Sequence, residues 1–278
     1  MNHIELKISC HLDFSEILMA ELSNIGFDTI EETEQGFNAY VLENDFDKAL
    51  LDEVVNRYTL QIQSWKISTI EKQNWNKQWE QNYEPIVVEN KCIVKATFHK
   101  IEEQYPYEIT INPKMSFGTG HHETTYQILN ILTSLDCSNK KVMDAGCGTG
   151  VLAIMAKLRG ASHVQAFDID DWCIDNSQEN FDLNDCQNCY VQLGTIAQLK
   201  FDYPFDIIIA NINKNVLLDE MSKYSNHLVP SGNLILSGFY ESDLPDLKKE
   251  ALKHGLHYQS HTTKNNWVAA FFLKNNSI

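Results

Sequence analysis

Residues 142–150 are VMDAGCGTG, and this stretch decides the fold of the second half of the chain. Apolar residues lie on both sides of its glycines, in the order that a strand, a tight turn and a helix need. Glycine permits both a sharp turn and a close approach of the backbone to a ligand. The free amide groups at the start of the following helix attract a negatively charged group such as a carboxylate. The stretch therefore predicts a ligand-binding loop at the edge of an α/β sheet.

Two polar residues at the ends of later predicted strands extend this site. Asp168 lies 22 residues after Gly146, where a carboxylate can accept hydrogen bonds from both ribose hydroxyls of a nucleotide-like ligand. Asn211 ends a buried apolar run further along. A dinucleotide or S-adenosylmethionine fits these features. The spacing G-x-G-x-G differs from the dinucleotide fingerprint, and Asp144 would repel a pyrophosphate but can aid an ammonium group, so S-adenosylmethionine is favoured.

Outward from the loop, short apolar runs alternate with longer helical patterns, which is typical of a parallel sheet covered by helices. We therefore predict a doubly wound α/β domain. Its strands are expected at residues 141–143, 164–167, 189–193, 205–210 and 233–237. Its helices are expected at residues 149–158, 171–183, 216–224 and 244–254, followed by a hairpin of residues 256–261 and 267–273.

The first 70 residues have a different pattern, which predicts a small α+β unit. Strands and helices are expected in the order βαββαβ, which is the ferredoxin-like order. Its second helix is expected to open at Asn44 or Asp45, with Ala49, Leu50, Val54 and Val55 on one side. We assign residues 1–70 to a ferredoxin-like substrate-recognition domain, 71–85 to a connecting helix and 86–278 to the catalytic domain, which begins with strands at 87–97 and 107–111.

Composition restricts the partners. A net charge of −16 disfavours nucleic acid, whose binding depends on neutralised phosphates, and favours a basic partner. No apolar run approaches the roughly 20 residues that a membrane helix needs, and no targeting signal precedes the first predicted strand. We therefore expect a cytoplasmic protein that is a monomer and binds no membrane. The seven cysteines are expected to be reduced, packed thiols. Cys186 and Cys189 form a lone pair, and two ligands are too few to complete the coordination shell of a zinc ion.

Upstream of the glycine loop, residues 112–125 are NPKMSFGTGHHETT. This segment resembles the pattern D-P-G-x-x-F-G-T-G-x-H-x-T-T of the bacterial ribosomal protein methyltransferase family PrmA, which modifies large-subunit ribosomal protein eleven. It departs from the pattern at Asn112 and Lys114, where the family has Asp and Gly, and these changes can alter the backbone path of the loop. The resemblance extends over nearly the whole chain through residues 144–150, 168–170, 179–180 with 184, 210–212 and 234–238.

The resemblance implies a class I methyltransferase (Rossmann-like) sheet, S-adenosylmethionine as the cofactor and a large-subunit ribosomal protein as the substrate. The implied activity is methyl transfer to lysine side chains and/or the N-terminal α-amine of that protein. Asn211 is the expected catalytic residue, because its carbonyl oxygen can accept a hydrogen bond from the amine and orient the lone pair. The expected cofactor-binding residues are Phe117, Thr125, Gly146, Gly148, Asp168 and Asn211.

Other interpretations of these residues stay open at this point. Thr125 can also cap a helix that starts at Tyr126, and Phe117 and Trp267 can be core aromatics. His121 and His122 look like metal ligands, but adjacent residues rarely bind one ion together, so we predict no metal. The alternative functions are a nucleic-acid N-methyltransferase, a nicotinamide-dependent oxidoreductase and a non-catalytic cofactor-binding module.

Overall fold

The computed structural model describes residues 2–70, 83–114 and 116–276. The chain divides into two units, Met1–Asn82 and Tyr83–Ile278, and each is described by itself. Most of the connecting helix that the sequence predicts for residues 71–85 lies outside the described residues. Residues 83–85 are described and form neither helix nor strand.

The N-terminal unit is a four-stranded antiparallel sheet with two helices, in the predicted order βαββαβ. The strand order β2-β3-β1-β4 is that of a ferredoxin-like sheet. Alternate residues of β1 and β3 are buried, as expected for a sheet with one covered face. The elements are β1 His3–Cys10, α1 Ser15–Asn24, β2 Thr29–Thr33, β3 Gly36–Leu42, α2 Lys48–Arg57 and β4 Ile62–Ile70.

The start of α2 differs from the prediction. Its N-cap is Asp47, whose carboxylate accepts hydrogen bonds from the backbone N–H groups of the next turn, so the prediction of Asn44 or Asp45 is wrong. Residues 43–45 form a short 3-10 turn instead. The buried face of α2 also differs from the predicted one: Leu51 and Val54 are buried, whereas Leu50 is 41% exposed and Ala49 is exposed.

The C-terminal unit is built on a seven-stranded sheet of order β10-β9-β8-β11-β12-β14-β13. Its first five strands are parallel, and β14 runs antiparallel to both neighbours. This confirms the doubly wound fold. The strands are β8 Lys141–Ala145, β9 His163–Asp168, β10 Cys189–Leu193, β11 Phe205–Asn211, β12 Leu228–Tyr240, β13 Leu256–Lys264 and β14 Trp267–Lys274. The helices are α3 Glu123–Ser134, α4 Val151–Leu158, α5 Asp171–Leu183, α6 Lys214–His227 and α7 Leu244–Lys253.

A separate three-stranded sheet precedes this core. The single strand predicted at residues 87–97 is two strands, β5 Ile86–Val88 and β6 Cys92–Ala96, and β7 Tyr107–Ile111 pairs parallel to β6. The chain reverses between β5 and β6 because Glu89 and Asn90 have φ of 47° and 52°. Left-handed backbone of this kind is typical of a two-residue hairpin turn.

The interior of the main sheet is apolar. Residues 207–209, three isoleucines in the middle of β11, are fully buried, as predicted for a strand covered on both faces. All seven cysteines are buried and unbridged. None of the helices in the described residues is long and apolar enough to cross a membrane.

Candidate active site

The order of the strands places the predicted site residues at one edge of the sheet. β8 pairs with β9 on one side and β11 on the other, and the chain winds in opposite directions from this point. The register aligns Ala145 with Phe167 and with Ala210. Gly146, Asp168 and Asn211 therefore follow these positions at adjacent strand ends. A crevice at such a switch point is where doubly wound folds bind their ligands.

The glycine loop requires glycine for two reasons. Gly146, Gly148 and Gly150 have φ of 70°, 55° and 77°, a region that other L-residues rarely adopt. Neighbouring atoms also leave no room for a side chain. A Cβ would lie 2.4 Å from Cγ2 of Ile212 at Gly146 and 2.2 Å from the carbonyl oxygen of Phe117 at Gly148. The loop thus packs on both the upstream loop and the segment after β11.

Comparing Gly148→Ala with Gly255→Ala separates the cost of the left-handed backbone conformation from the cost of the steric clash. Gly255 has φ of 70°, but a Cβ there meets nothing within 4 Å. Both variants bear the backbone cost, whereas Gly148→Ala adds a clash with a carbonyl oxygen. We expect Gly148→Ala to lower the free energy of unfolding by about 1–3 kcal/mol more than Gly255→Ala, measured by urea denaturation, and to weaken cofactor binding. Equal losses in the two variants would contradict this account.

Asp168 holds the loop from the adjacent strand. One carboxylate oxygen accepts a hydrogen bond from the Gly148 N–H at 2.9 Å, and the other accepts from the N–H groups of Ile169 at 2.8 Å and Asp170 at 3.2 Å. Because a carboxylate offers about four acceptor sites, these bonds leave capacity for a ligand hydroxyl. Asp168 thus combines loop ordering with the expected role at a ribose.

Asp144 lies beneath the loop and not on the cavity wall. It is fully buried, and its Oδ2 accepts a hydrogen bond from the Ala153 N–H at 3.0 Å. Its Oδ1 has no hydrogen-bond partner among the described residues. Burial, with a smaller contribution from the charge of Asp168, raises the pKa of Asp144 to about 7. Any effect of this carboxylate on a bound ammonium group therefore acts through space.

The raised pKa of Asp144 predicts a pH-dependent stability. The folded protein retains this proton up to about pH 7, whereas the unfolded chain releases it near the ordinary pKa of 3.8. The folded state binds more protons in this interval, so the free energy of unfolding falls as pH rises. Asp144→Asn removes this titration. In urea titrations of the cofactor-free protein, the free energy of unfolding of the variant relative to that of the wild type should rise by on the order of a few kcal/mol between about pH 4 and about pH 7. Parallel pH profiles of the two proteins would contradict this prediction.

Asn211 and Thr125 form a buried pair. The Asn211 side-chain N–H donates to the Thr125 hydroxyl at 3.2 Å, while Asn211 Oδ1 has no partner among the described residues. Thr125 is fully buried in the first turn of α3 and does not cap it. The N-cap is His122, whose ring accepts a hydrogen bond from the Thr124 N–H, so the capping interpretation of Thr125 is wrong.

A cavity of about 730 Å³ lies over these strand ends. Phe117, Gly146, Gly148, Asp168 and Asn211 line it. Thr125 is not among its lining residues but accepts a hydrogen bond from Asn211, which is. The cavity also contains residues that the sequence analysis did not single out: Ile169, Trp172, Thr195, Val216 and Glu220. Their positions carry a weak signal, because they directly follow predicted strands or recur at helical spacing along α5 and α6.

Four rings, which we call the aromatic row, extend from the cavity through the upstream loop to the ends of β14 and β12. Phe117 lines the cavity and is 52% exposed. Its ring centroid lies 5.3 Å from that of His122, His122 lies 4.7 Å from Trp267, and Trp267 lies 4.1 Å from Tyr240. Gln127 in α3 holds this arrangement by donating to the Trp267 carbonyl at 3.0 Å. Trp267 is therefore part of the row and not a core aromatic.

The cavity fits S-adenosylmethionine by the chemistry of its lining. The glycine loop allows close backbone approach, Asp168 has spare acceptor capacity, and Ile169 and Val216 offer apolar surface for a nucleobase. Asn211 lines the same cavity, and its buried side-chain oxygen has no hydrogen-bond partner among the described residues.

Comparison with known proteins agrees with this geometry. The model of the family "Ribosomal protein L11 methyltransferase (PrmA)" matches residues 13–275. The chain is 41% identical to the ribosomal protein L11 methyltransferase of Phocaeicola vulgatus, over 98% of this chain and 99% of that protein. It is 44% identical to the protein of that name from Porphyromonas gingivalis, over 92% of this chain and 90% of that one.

A solved structure gives the same result. The crystal structure of the ribosomal protein L11 methylase from Lactobacillus delbrueckii subsp. bulgaricus is similar to this chain with a TM-score of 0.64 and 25% identity. The similarity covers 70% of this chain and 99% of that chain. The protein therefore belongs to the ribosomal protein L11 methyltransferase family and is an S-adenosylmethionine-dependent methyltransferase.

Proposed function

We propose that this protein transfers methyl groups from S-adenosylmethionine to amino groups of ribosomal protein L11, at lysine side chains and/or the N-terminal α-amine. The observation that carries the proposal is the unsatisfied Oδ1 of Asn211 beside the glycine loop. The relatives named L11 methyltransferase, which match over nearly the full length of the chain, support the choice of substrate.

The arrangement of Asn211 suits an amine nucleophile. When bound, S-adenosylmethionine supplies a methyl group on a positively charged sulfur. An α-amine with a pKa of about 7.7–8.0 or a lysine with a pKa of about 10.4 must lose a proton before it can attack. Thr125 engages the side-chain N–H of Asn211, so the acceptor oxygen is left for the amine. An oxygen that accepts the amine N–H fixes the direction of the nitrogen lone pair.

The aromatic row supports an amine-bearing chain as the substrate. Ring faces attract ammonium groups, and successive rings offer apolar contact to the methylene stem of a lysine. Phe117 belongs to both the row and the cavity lining. A lysine side chain lying on the row would therefore reach the cavity that Asn211 also lines.

The composition of the N-terminal unit supports a role in holding a basic protein. Residues 1–70 contain thirteen acidic and four basic side chains, a formal charge of −9. The outer strand β2 carries Glu31 and Glu32, both exposed, and Glu34 follows it. Opposite charge speeds the encounter with a basic partner. We propose residues 1–70 as the recognition domain, 71–85 as the connection and 86–278 as the catalytic domain.

Nucleic acid is the second candidate substrate, and the charge of the chain opposes it. A duplex or single strand needs a basic surface, and this chain has a formal charge of −16. We propose that the enzyme acts as a monomer on free or ribosome-bound L11, makes no direct contact with nucleic acid, and works in the cytoplasm, where its substrate is found.

Labelled methyl donor tests the substrate. The protein is incubated with tritiated S-adenosylmethionine and either purified large-subunit proteins or ribosomal RNA from an unmethylated source. We expect label on L11, with mass spectrometry locating it on lysines and/or the N-terminal amine, and none when Asn211→Ala replaces the wild type. Label on RNA and none on protein would overturn the proposal.

A further inference from the structure

Glu179 on α5 binds two residues of the segment that leads from β7 into the upstream loop. One of its carboxylate oxygens accepts a hydrogen bond from the side-chain amide of Asn112 at 2.8 Å, and the other accepts from the ammonium group of Lys114. The Lys114 ammonium, and after it the Asn112 amide, lowers the pKa of Glu179, so the carboxyl group is ionised at neutral pH. Asn112 and Lys114 are the two positions at which this segment departs from the family pattern, and both contact one side chain.

The backbone between these two contacts is stiff. Pro113 is buried, and its ring fixes φ at about −65° and restricts the residue before it to extended backbone. Glu179 thus holds a short rigid unit at both of its ends. Helix α5 also holds the backbone of this unit, because the Asn112 N–H donates to Asn180 Oδ1 at 2.8 Å and the Asn112 carbonyl accepts from the Asn176 amide at 2.9 Å.

The same segment continues into contacts with the glycine loop. The carbonyl of Phe117 accepts a hydrogen bond from the Thr149 N–H at 2.9 Å, and the carbonyl of Gly118 accepts from the Thr149 hydroxyl at 2.8 Å. Asn180 links the two segments, because its amide also donates to the Thr149 carbonyl at 2.9 Å. Phe117 lines the cavity and begins the aromatic row. The position of its ring therefore depends on Thr149 on one side and on Glu179 on the other.

We propose that Glu179 is a positioning residue for methyl transfer, which holds Phe117 at the cofactor cavity through its contacts with Asn112 and Lys114. Glu179 is not among the residues that line the cavity, so it acts on a ligand only through the loop. The ion pair is exposed, with 49% of the Lys114 side chain and 38% of the Glu179 side chain accessible to solvent. Because exposed pairs contribute little to the free energy of unfolding, we expect their loss to change cofactor binding more than stability. The inference rests on the proposed function in taking this cavity as the cofactor site, and it holds whichever amine is methylated.

A charge swap tests the contact. Lys114→Glu and Glu179→Lys each place two like charges together, whereas the double variant restores an ion pair, and its new ammonium group on α5 can also donate to the side-chain oxygen of Asn112. Isothermal titration calorimetry measures the affinity for S-adenosylhomocysteine, and thermal unfolding measures stability. We expect each single variant to weaken the affinity by about tenfold, the scale of one hydrogen bond to a charged group, and the double variant to return to within about threefold of the wild type. The thermal midpoints should stay close to that of the wild type.

Asp182→Asn is the matched control for the loss of charge on α5. Asp182 is exposed, lies three residues after Glu179, and accepts a hydrogen bond from Gln178 of the same helix at 3.1 Å. Its substitution removes a carboxylate from this helix but leaves the contacts between the helix and the upstream loop intact. The affinity of this variant should therefore equal that of the wild type.

The outcomes separate this inference from the proposed function. If the wild type does not bind S-adenosylhomocysteine, the cofactor site fails and this inference fails with it. If the wild type binds and a folded single variant keeps the wild-type affinity, the inference alone is overturned. Losses that the double variant does not recover also overturn it, because the two residues would then act separately. If both single variants fail to fold, Glu179→Gln, which keeps an acceptor for Asn112 but loses the charge, should still lower the affinity by about threefold, and an unchanged affinity overturns the inference.

Discussion

Replacing Asp168 by alanine is expected to reduce the affinity for S-adenosylmethionine by at least about a hundredfold, because hydrogen bonds to a charged acceptor contribute about 1.5–3 kcal/mol each. The carboxylate has two tasks. It would accept a ribose hydroxyl at its remaining acceptor site, and it holds the loop together through the N–H groups of Gly148, Ile169 and Asp170. Alanine removes both at once, so the ligand loses direct bonds and meets a less ordered loop. Calorimetry with S-adenosylhomocysteine measures the loss directly.

Asp171→Ala is the matched control for this substitution. Asp171 is exposed, begins α5 and accepts one hydrogen bond, from its neighbour's backbone N–H. The Asp171→Ala substitution removes the same charge at nearly the same place but breaks no hydrogen bond to the glycine loop. We expect its affinity to stay close to that of the wild type. Equal losses in the two variants would mean that general electrostatics, and not the contacts of Asp168, holds the cofactor.

The glycine loop and the polar residues at the strand ends could be predicted from the sequence. The glycine spacing, the apolar runs before Gly146 and Asp168, and the isoleucines before Asn211 each lie within a short window. Such patterns predict strand, turn and helix without tertiary information. The structure places these three residues at adjacent strand ends because parallel strands of one sheet all end at the same edge.

The features of the fold and the site that the sequence did not predict depend mainly on contacts between residues. Thr125 has the sequence context of a helix cap, but its role follows from the hydrogen bond with Asn211, 86 residues away. The N-cap of α2 shifted to Asp47 because a 3-10 turn used the earlier candidates. Glu220 has the spacing of an ordinary helical residue, and only its burial and its bond with Tyr224 mark it. Spacing alone does not reveal which of several polar residues loses its contact with water.

Asn211→Ala is expected to bind S-adenosylmethionine nearly as well as the wild type and to lower kcat for methylation of L11 by about a hundredfold, the scale on which a misplaced reacting group slows an enzyme. In the proposed mechanism the side chain contributes an acceptor that orients the amine, whereas the glycine loop and Asp168, which line the same cavity, are the proposed cofactor contacts. Single-turnover assays give the chemical step, and calorimetry gives the affinity.

Thr125→Val distinguishes positioning by Asn211 from a general packing role. Valine matches the size of threonine but cannot accept the hydrogen bond from the Asn211 amide. Freed from this bond, the amide can rotate and offer its N–H groups to the cavity, which would misorient a nucleophilic nitrogen. The methylation rate should therefore fall by a smaller factor than in Asn211→Ala, with no further loss when the two changes are combined, because both act through one oxygen atom. Full activity of Asn211→Ala, or independent losses in the double variant, would show that the oxygen of Asn211 does not direct the amine.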